Sequence, residues 1–219
     1  MSASALRARL RHVRWIGGAP GGGKSTMARH LASRYGLRLY DTDEMMGSHT
    51  RRTTPGQSPF LARFIEMDMD ERWLNRSPET MLETFHWFRG EAFDLIVEDL
   101  LRLPSSQGVV VEGFRLLPQL VQPLLTAPRQ AVWLIPTPGF RSFAIEERGD
   151  TWLIAGRTSD PERALRNLAE RDRLFTERLA SQTKHLGLGV IEVDGTISEA
   201  DLAARVSAML GLDDSERCR

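Results

Sequence analysis

Cysteine is nearly absent from this chain. A single thiol, Cys218, stands in 219 residues, so no internal disulfide can staple the fold, and this usage suits a reducing compartment. Lysine is almost as rare. Lys24 and Lys184 are the only two, and the rest of the 29 basic residues are arginine. Neither sign of charge is in excess, because 29 acidic residues balance the 29 basic ones. A surface built on bulk charge for nucleic acid or anionic lipid is therefore not expected. No apolar run approaches the roughly 18 residues of a membrane span, and the opening SASALRARLRH carries arginines where a secretory signal needs an apolar core. These absences lead to the expectation of a cytoplasmic protein with small-molecule partners, no nucleic acid and no membrane, as a monomer or homodimer. Residues 1 to 10 and 213 to 219 are expected to fray. The length suits one α/β domain over 1–219.

Glycine, by contrast, is concentrated. Trp15 to Thr26 reads WIGGAPGGGKST, and Gly18, four residues, then Gly23-Lys24-Ser25 satisfies the P-loop spacing. Such a turn points successive backbone N–H groups at phosphate oxygens. Its lysine reaches the β- and γ-phosphates, its hydroxyl holds Mg²⁺, and the next helix aims its positive end at the same anion. HVRWI before the loop reads as a short buried strand, and MARHLASRYG after it as a helix ending at Gly36. Gly18, Gly21, Gly22, Gly23, Lys24, Ser25 and Thr26 are thus candidate nucleotide-binding residues, for ATP with Mg²⁺. A chain that otherwise avoids lysine keeps one here.

Farther along, LRLYD forms a second strand running into Asp41-Thr42-Asp43. The C-terminal edge of an open α/β sheet is where ligands bind, so these carboxylates share a rim with the P-loop; a turn or helix cap is the plainer alternative. Gly47 to Pro59 lacks periodicity and is expected to be a mobile loop. Two helices are expected next, Phe60 to Leu74 and Glu79 to Leu103. In the second, Met81, Phe85, Phe88, Ala92, Leu95 and Ile96 form one buried stripe, leaving His86, Arg89 and Glu91 on a solvated face or facing a pocket. Residues 47–104 are a helical insertion of a size to enclose an acceptor. GVVVEG is a strand buried on both faces, ending at Glu112, which either contacts metal water or acceptor or caps a turn.

A helix over Leu116 to Leu125 precedes the strand AVWLIP, and Thr137-Pro138 opens another to about Glu147. Residues 148–161, RGDTWLIAGRTSDP, have a lid's composition. Arg157 is its first candidate for a phosphate contact and Arg148 the second, against a surface-arginine alternative. A long helix from Pro161 to Leu186 carries Arg163, Arg166, Arg171 and Arg173 among acids, read mostly as exposed pairs. The fifth strand, LGVIEVDG, ends at Asp194 on the same rim. Ser198 caps a last helix to Leu210. Five strands alternating with helices give a three-layer α/β/α sandwich on a five-stranded parallel sheet, with insertion and lid.

Taken together, GGAPGGGKST, LYDTDEM, the helical insertion, the buried third strand, the arginine-bearing lid and the VDGT turn resemble the P-loop small-molecule kinases. The shikimate and gluconate kinases are nearest in pattern; chloramphenicol phosphotransferase and the nucleoside monophosphate kinases are more distant. The resemblance implies an ATP- and Mg²⁺-dependent phosphotransferase in which Asp41 holds the metal through water, beside Ser25, and Asp43 binds the acceptor hydroxyl as base. Lys24 and Arg157 would neutralise the phosphoryl group. Glu112-Gly113-Phe114 stands where shikimate kinases carry a glycine triplet, so the acceptor does not transfer. A nucleoside or nucleotide kinase is an alternative, kept open by Arg51, Arg52, Arg63 and Arg89. A non-kinase ATPase or switch is a further one, although no Asn-Lys-x-Asp or Ser-Gly-Gly signature occurs.

Overall fold

The structure is a computed structural model that describes residues 2–140 and 150–212. Its five strands are β1 (Val13–Gly18), β2 (Arg38–Asp41), β3 (Val109–Glu112), β4 (Ala131–Pro136) and β5 (Val190–Val193). They form one sheet in the order β2-β3-β1-β4-β5, each neighbouring pair parallel. The expected three-layer α/β architecture is thus the observed one. Successive side chains of a strand point to opposite faces, and the central strands use both. Trp15, Val109, Val111 and Trp133 pack on one side with Phe175 and Leu179. Ile16, Val110, Val132 and Leu134 pack on the other with Met27, Leu31 and Val206.

The helices are α1 (Ala3–Arg9), α2 (Lys24–Tyr35), α3 (Met46–Arg52), α4 (Pro59–Glu66), α5 (Met69–Trp73), α6 (Pro78–Thr84), α7 (Phe93–Arg102), α8 (Pro118–Val121), α9 (Asp150–Ala155), α10 (Pro161–His185) and α11 (Glu199–Met209). Among the described residues no helix is long and apolar enough to cross a membrane. The N-terminus is better ordered than expected. Residues 3–9 are helical and Leu10 is fully buried in the main core. Residues 213–219, and the helix from Pro138 beyond Phe140, lie outside the described residues.

The insertion departs from expectation. The first half of the anticipated loop at 47–59 is helix α3, with His49 wholly buried. The anticipated helix Phe60 to Leu74 is two helices, α4 and α5, and α5 is started by an Asp68–Glu71 capping box. The anticipated helix Glu79 to Leu103 is also broken. After α6 the chain makes a 3₁₀ turn at His86–Arg89, then passes through left-handed residues at Gly90 and Ala92 before α7. Two packing demands explain the break. Phe88 stacks on Phe175 of α10 with ring centroids 3.7 Å apart, while its neighbour Trp87 packs in a separate cluster with Leu61, Ala92 and Leu95. Gly90 gives the turn room, since a Cβ there would lie 2.4 Å from Leu120 Cδ1. The helix expected over Leu116 to Leu125 is shorter too: α8 followed by a 3₁₀ turn at Gln122–Leu124.

Candidate functional site

β1 ends at Gly18, opposite Leu134 of β4. Gly18 has φ +135°, and a Cβ there would stand 2.1 Å from Leu134 O; at Gly22 the same carbonyl would be 2.9 Å away. The loop is therefore held against β4 at a distance only glycine allows. Gly21 and Gly23 are left-handed, with φ near +80°, and Gly23 serves as N-cap of α2 with no side-chain cap. The first amides of α2 are thus presented to the loop's concave side. Lys24, the first helical residue, is buried, and its Nζ donates to Ala19 O at 2.8 Å, folding back across the loop. Ser25 and Thr26 follow, both half-buried. Gly17 has a different task. A Cβ there would enter the indole of Trp133, whose Nε1 donates to Leu116 O at 2.9 Å.

The sheet register then lines up the acids. Glu112 pairs with Asp41 on one side and with Ile16 on the other, so both carboxylates stand on the rim one turn of chain from the P-loop. Glu112 is 2% exposed, with Ser25 and Lys24 close to its carboxylate. Burial raises its pKa to about 7, and Asp41 and Asp43 add to the rise; Lys24 and the Ser25 hydroxyl oppose it. Asp43 is also raised, first by burial and then by Asp41, against Lys24, Thr42 and Arg115. Its surface is nevertheless open to solvent. Asp41 closes the turn, its Oδ1 accepting from the amides of Asp43 at 2.7 Å and Glu44 at 3.4 Å, which is the cap geometry weighed above.

Gly113 makes this crowding possible. A Cβ there would lie 1.7 Å from Thr42 Oγ1 and 3.4 Å from Asp43 Oδ1, so the end of β3 and the aspartate turn touch directly. Lys24, Ser25, Asp41, Asp43 and Glu112 are brought together. Among the described residues no three His, Cys, Asp or Glu side chains are grouped so as to hold a metal by themselves. A divalent ion here would keep most of its ligands as water or phosphate oxygen, which is the habit of Mg²⁺.

Arg157 is exposed, just beyond α9. Among the described residues no hydrogen bond or ion pair joins its side chain to the P-loop or to the aspartates. Arg148 lies outside the described residues. The segment from α9 onward is docked on the insertion: Ala155 is buried with Trp73, Leu74 and Met81, and Ser159 N donates to Asp70 Oδ1 at 2.8 Å.

Of the insertion arginines, Arg52 is bonded to Glu98 and Asp99. Arg89 donates to Glu83 O and lies over the Phe60 ring. Arg51 and Arg63 are exposed. Glu91 is not a solvated-face residue, because its carboxylate accepts from the amides of Phe60 and Leu61 at the start of α4. His86 is buried rather than solvated. Arg171, read as an exposed pair, is instead buried beside Asp172 and faces the rings of Trp73, Phe85 and Phe88. At the far rim Asp194 is bound by Thr196, whose amide and hydroxyl both donate to it.

Sequence reasoning missed Arg115 altogether. It is 2% exposed, lies 4.0 Å over Trp87, and donates to Thr42 O at 3.1 Å and to Ala92 O at 3.3 Å. Burial lowers its pKa to about 10. An arginine three residues beyond a buried strand's last acid is the only signal it leaves. No protein-family model matches the chain, and no curated protein matches it in sequence.

Proposed function

We propose that this chain transfers the γ-phosphoryl group of ATP, with Mg²⁺, to a hydroxyl of a small molecule. The observation that carries the reading is the meeting of a strand–loop–helix phosphate cradle with three carboxylates at one sheet rim. Bound Mg²⁺ would supply charge neutralisation across the phosphates. Lys24 exchanges its bond to Ala19 O for a phosphate oxygen. The Ser25 hydroxyl and Asp41, through water, would hold the metal. Glu112 adds a buried acid beside Ser25, and Asp43, exposed at the rim, takes the proton from the acceptor hydroxyl. A nucleotide acceptor loses the support of Arg52 and Arg89, which are committed to groups of their own chain, and keeps that of the exposed Arg51 and Arg63.

The test compares Asp43→Asn with Asp41→Asn, measuring ADP release with ATP, Mg²⁺ and pooled metabolites, nucleosides and antibiotics over a Mg²⁺ titration. Asp43→Asn is expected to lower transfer by about 10² to 10⁴-fold at every Mg²⁺ concentration. Asp41→Asn is expected to raise the Mg²⁺ requirement and to recover with excess metal. Wild-type transfer in both variants would reduce the aspartates to turn formers, and no acceptor-dependent ADP release from the wild type would remove the reading.

A further inference from the structure

Arg115 is a buried cation that, among the described residues, faces no carboxylate directly. Withdrawing a guanidinium from water is costly, and its hydrogen bonds show where it is held. Both protons of Nη1 are used, one on Thr42 O at 3.1 Å and one on His49 Nδ1 at 3.0 Å, while Nη2 reaches Ala92 O at 3.3 Å. Since Arg115 can only donate, His49 Nδ1 is an acceptor, and the ring proton sits on Nε2. That proton is donated to Asp99 Oδ2 at 2.9 Å. The same oxygen accepts from the Tyr40 hydroxyl at 2.8 Å, and Arg52 holds the other oxygen at 2.6 Å.

The connections close on themselves. Tyr40 and Thr42 are the two chain neighbours of Asp41, and both are gripped by one network: Tyr40 through Asp99, and Thr42 through Arg115. Between the two grips stand His49 of α3 and Asp99 of α7. Ala92, the third anchor, has φ +56° and is the only non-glycine residue with positive φ among those described. Cβ sterics disfavour that conformation for an L-residue, and Arg115 holds the carbonyl it presents. Two segments of the insertion, at His49 and Ala92, and the aspartate turn thus meet on one side chain.

We infer that Arg115 is a positioning residue for the phosphoryl transfer: it fixes the Asp41–Thr42–Asp43 turn through Thr42 and ties that turn to the helical insertion through His49, Asp99 and Ala92. The inference rests on the phosphotransferase reading for its function and on the network alone for its coupling. An acceptor that shifts the insertion therefore shifts the turn with it.

The test perturbs the network where it does not touch the turn. Hydrogen exchange of the full chain without ligands is compared for wild type, His49→Leu and His49→Gln. Leucine removes both hydrogen bonds; glutamine offers one acceptor and one donor in their place. In His49→Leu the amides of residues 42–44 and 90–93 are expected to exchange at least about tenfold faster, the equivalent of one lost hydrogen bond, and His49→Gln restores most of the protection. Acceleration confined to residues 46–52 would overturn the coupling. In the ADP-release assay, His49→Leu and Arg115→Lys are expected to lose about 10²-fold in kcat, as for a misplaced catalytic group, with the KM for ATP within about twofold. Unchanged kcat in His49→Leu would overturn the positioning role. If Arg115→Lys does not fold, the two His49 variants decide. A wild type that transfers to no acceptor removes the phosphotransferase reading and leaves the exchange result to decide the coupling.

Discussion

Acid should destabilise this protein through His86, by an amount the structure allows to be worked out. The ring is buried to 2% exposure between Phe64, Phe85 and Trp87, with centroids 4.8, 4.7 and 4.4 Å away, and Nδ1 has no hydrogen-bond partner. Burial, aided by the charges of Arg115 and Arg72, lowers its pKa to about 3 from 6.5. The folded state therefore refuses a proton that the unfolded chain accepts. Stability from this group is complete above pH 6.5 and is lost progressively as pH falls toward 3. At 1.36 kcal/mol per unit, lowering the pH from 8 to 5 costs about 2 kcal/mol at this residue. For a chain of this size that is roughly 4–8 °C in Tm. His86→Phe keeps the ring and removes the titration. Urea unfolding followed by tryptophan fluorescence at pH 8 and pH 5 gives the loss for each protein, and the wild type should lose about 2 kcal/mol more than the variant. Equal losses would show that His86 is not held neutral by its surroundings, and the argument from burial would fail.

Other outcomes follow from the rim. Gly113→Ala places a methyl 1.7 Å from Thr42 Oγ1 at a φ of +146°, so we expect about 2–5 kcal/mol of destabilisation from strain and overpacking together; a thermal midpoint unchanged within 2 °C would show that the turn yields freely. Lys24→Ala is expected to abolish phosphoryl transfer and ATP binding while the far-ultraviolet circular dichroism stays as in the wild type; near-normal turnover would take Lys24 out of the mechanism. Arg157→Ala should lower kcat well beyond any change in the KM for ATP if the exposed arginine swings onto the phosphoryl group, and an unchanged kcat returns it to the surface.

How much was legible before the fold was known follows the physics of each element. The glycine-rich loop and its flanking strand and helix were readable because backbone geometry restricts the residue type: at Gly18 and Gly22 a carbonyl of β4 leaves no room for any side chain. VVVE was readable because a strand covered on both faces needs an unbroken apolar run. The break at 85–92 was not, because helical spacing in the sequence continues through it. The interruption comes from tertiary demands on Trp87 and Phe88 that pull neighbours into separate clusters. His49 was hidden in a polar, Pro/Gly-punctuated stretch. Its burial depends on Arg115, 66 residues away, and no local pattern announces such a partner. Glu91 looked like one more surface acid, and only the arrival of the α4 amides gives it work.

The strand order has a consequence for the protein in a crowded solution. With β1 innermost, the rows of unsatisfied backbone donors and acceptors fall on β2 and β5, each four residues long. β2 begins with the exposed Arg38, and β5 carries the exposed Glu192 at its middle. Short edges bearing a charge are poor templates for a second chain, since adding a strand would bring like charges of neighbouring copies together at an edge too brief to repay it. Leu39 and Val190 are the large apolar side chains left open on these strands, and the charges beside them act as gatekeepers against fibrous association.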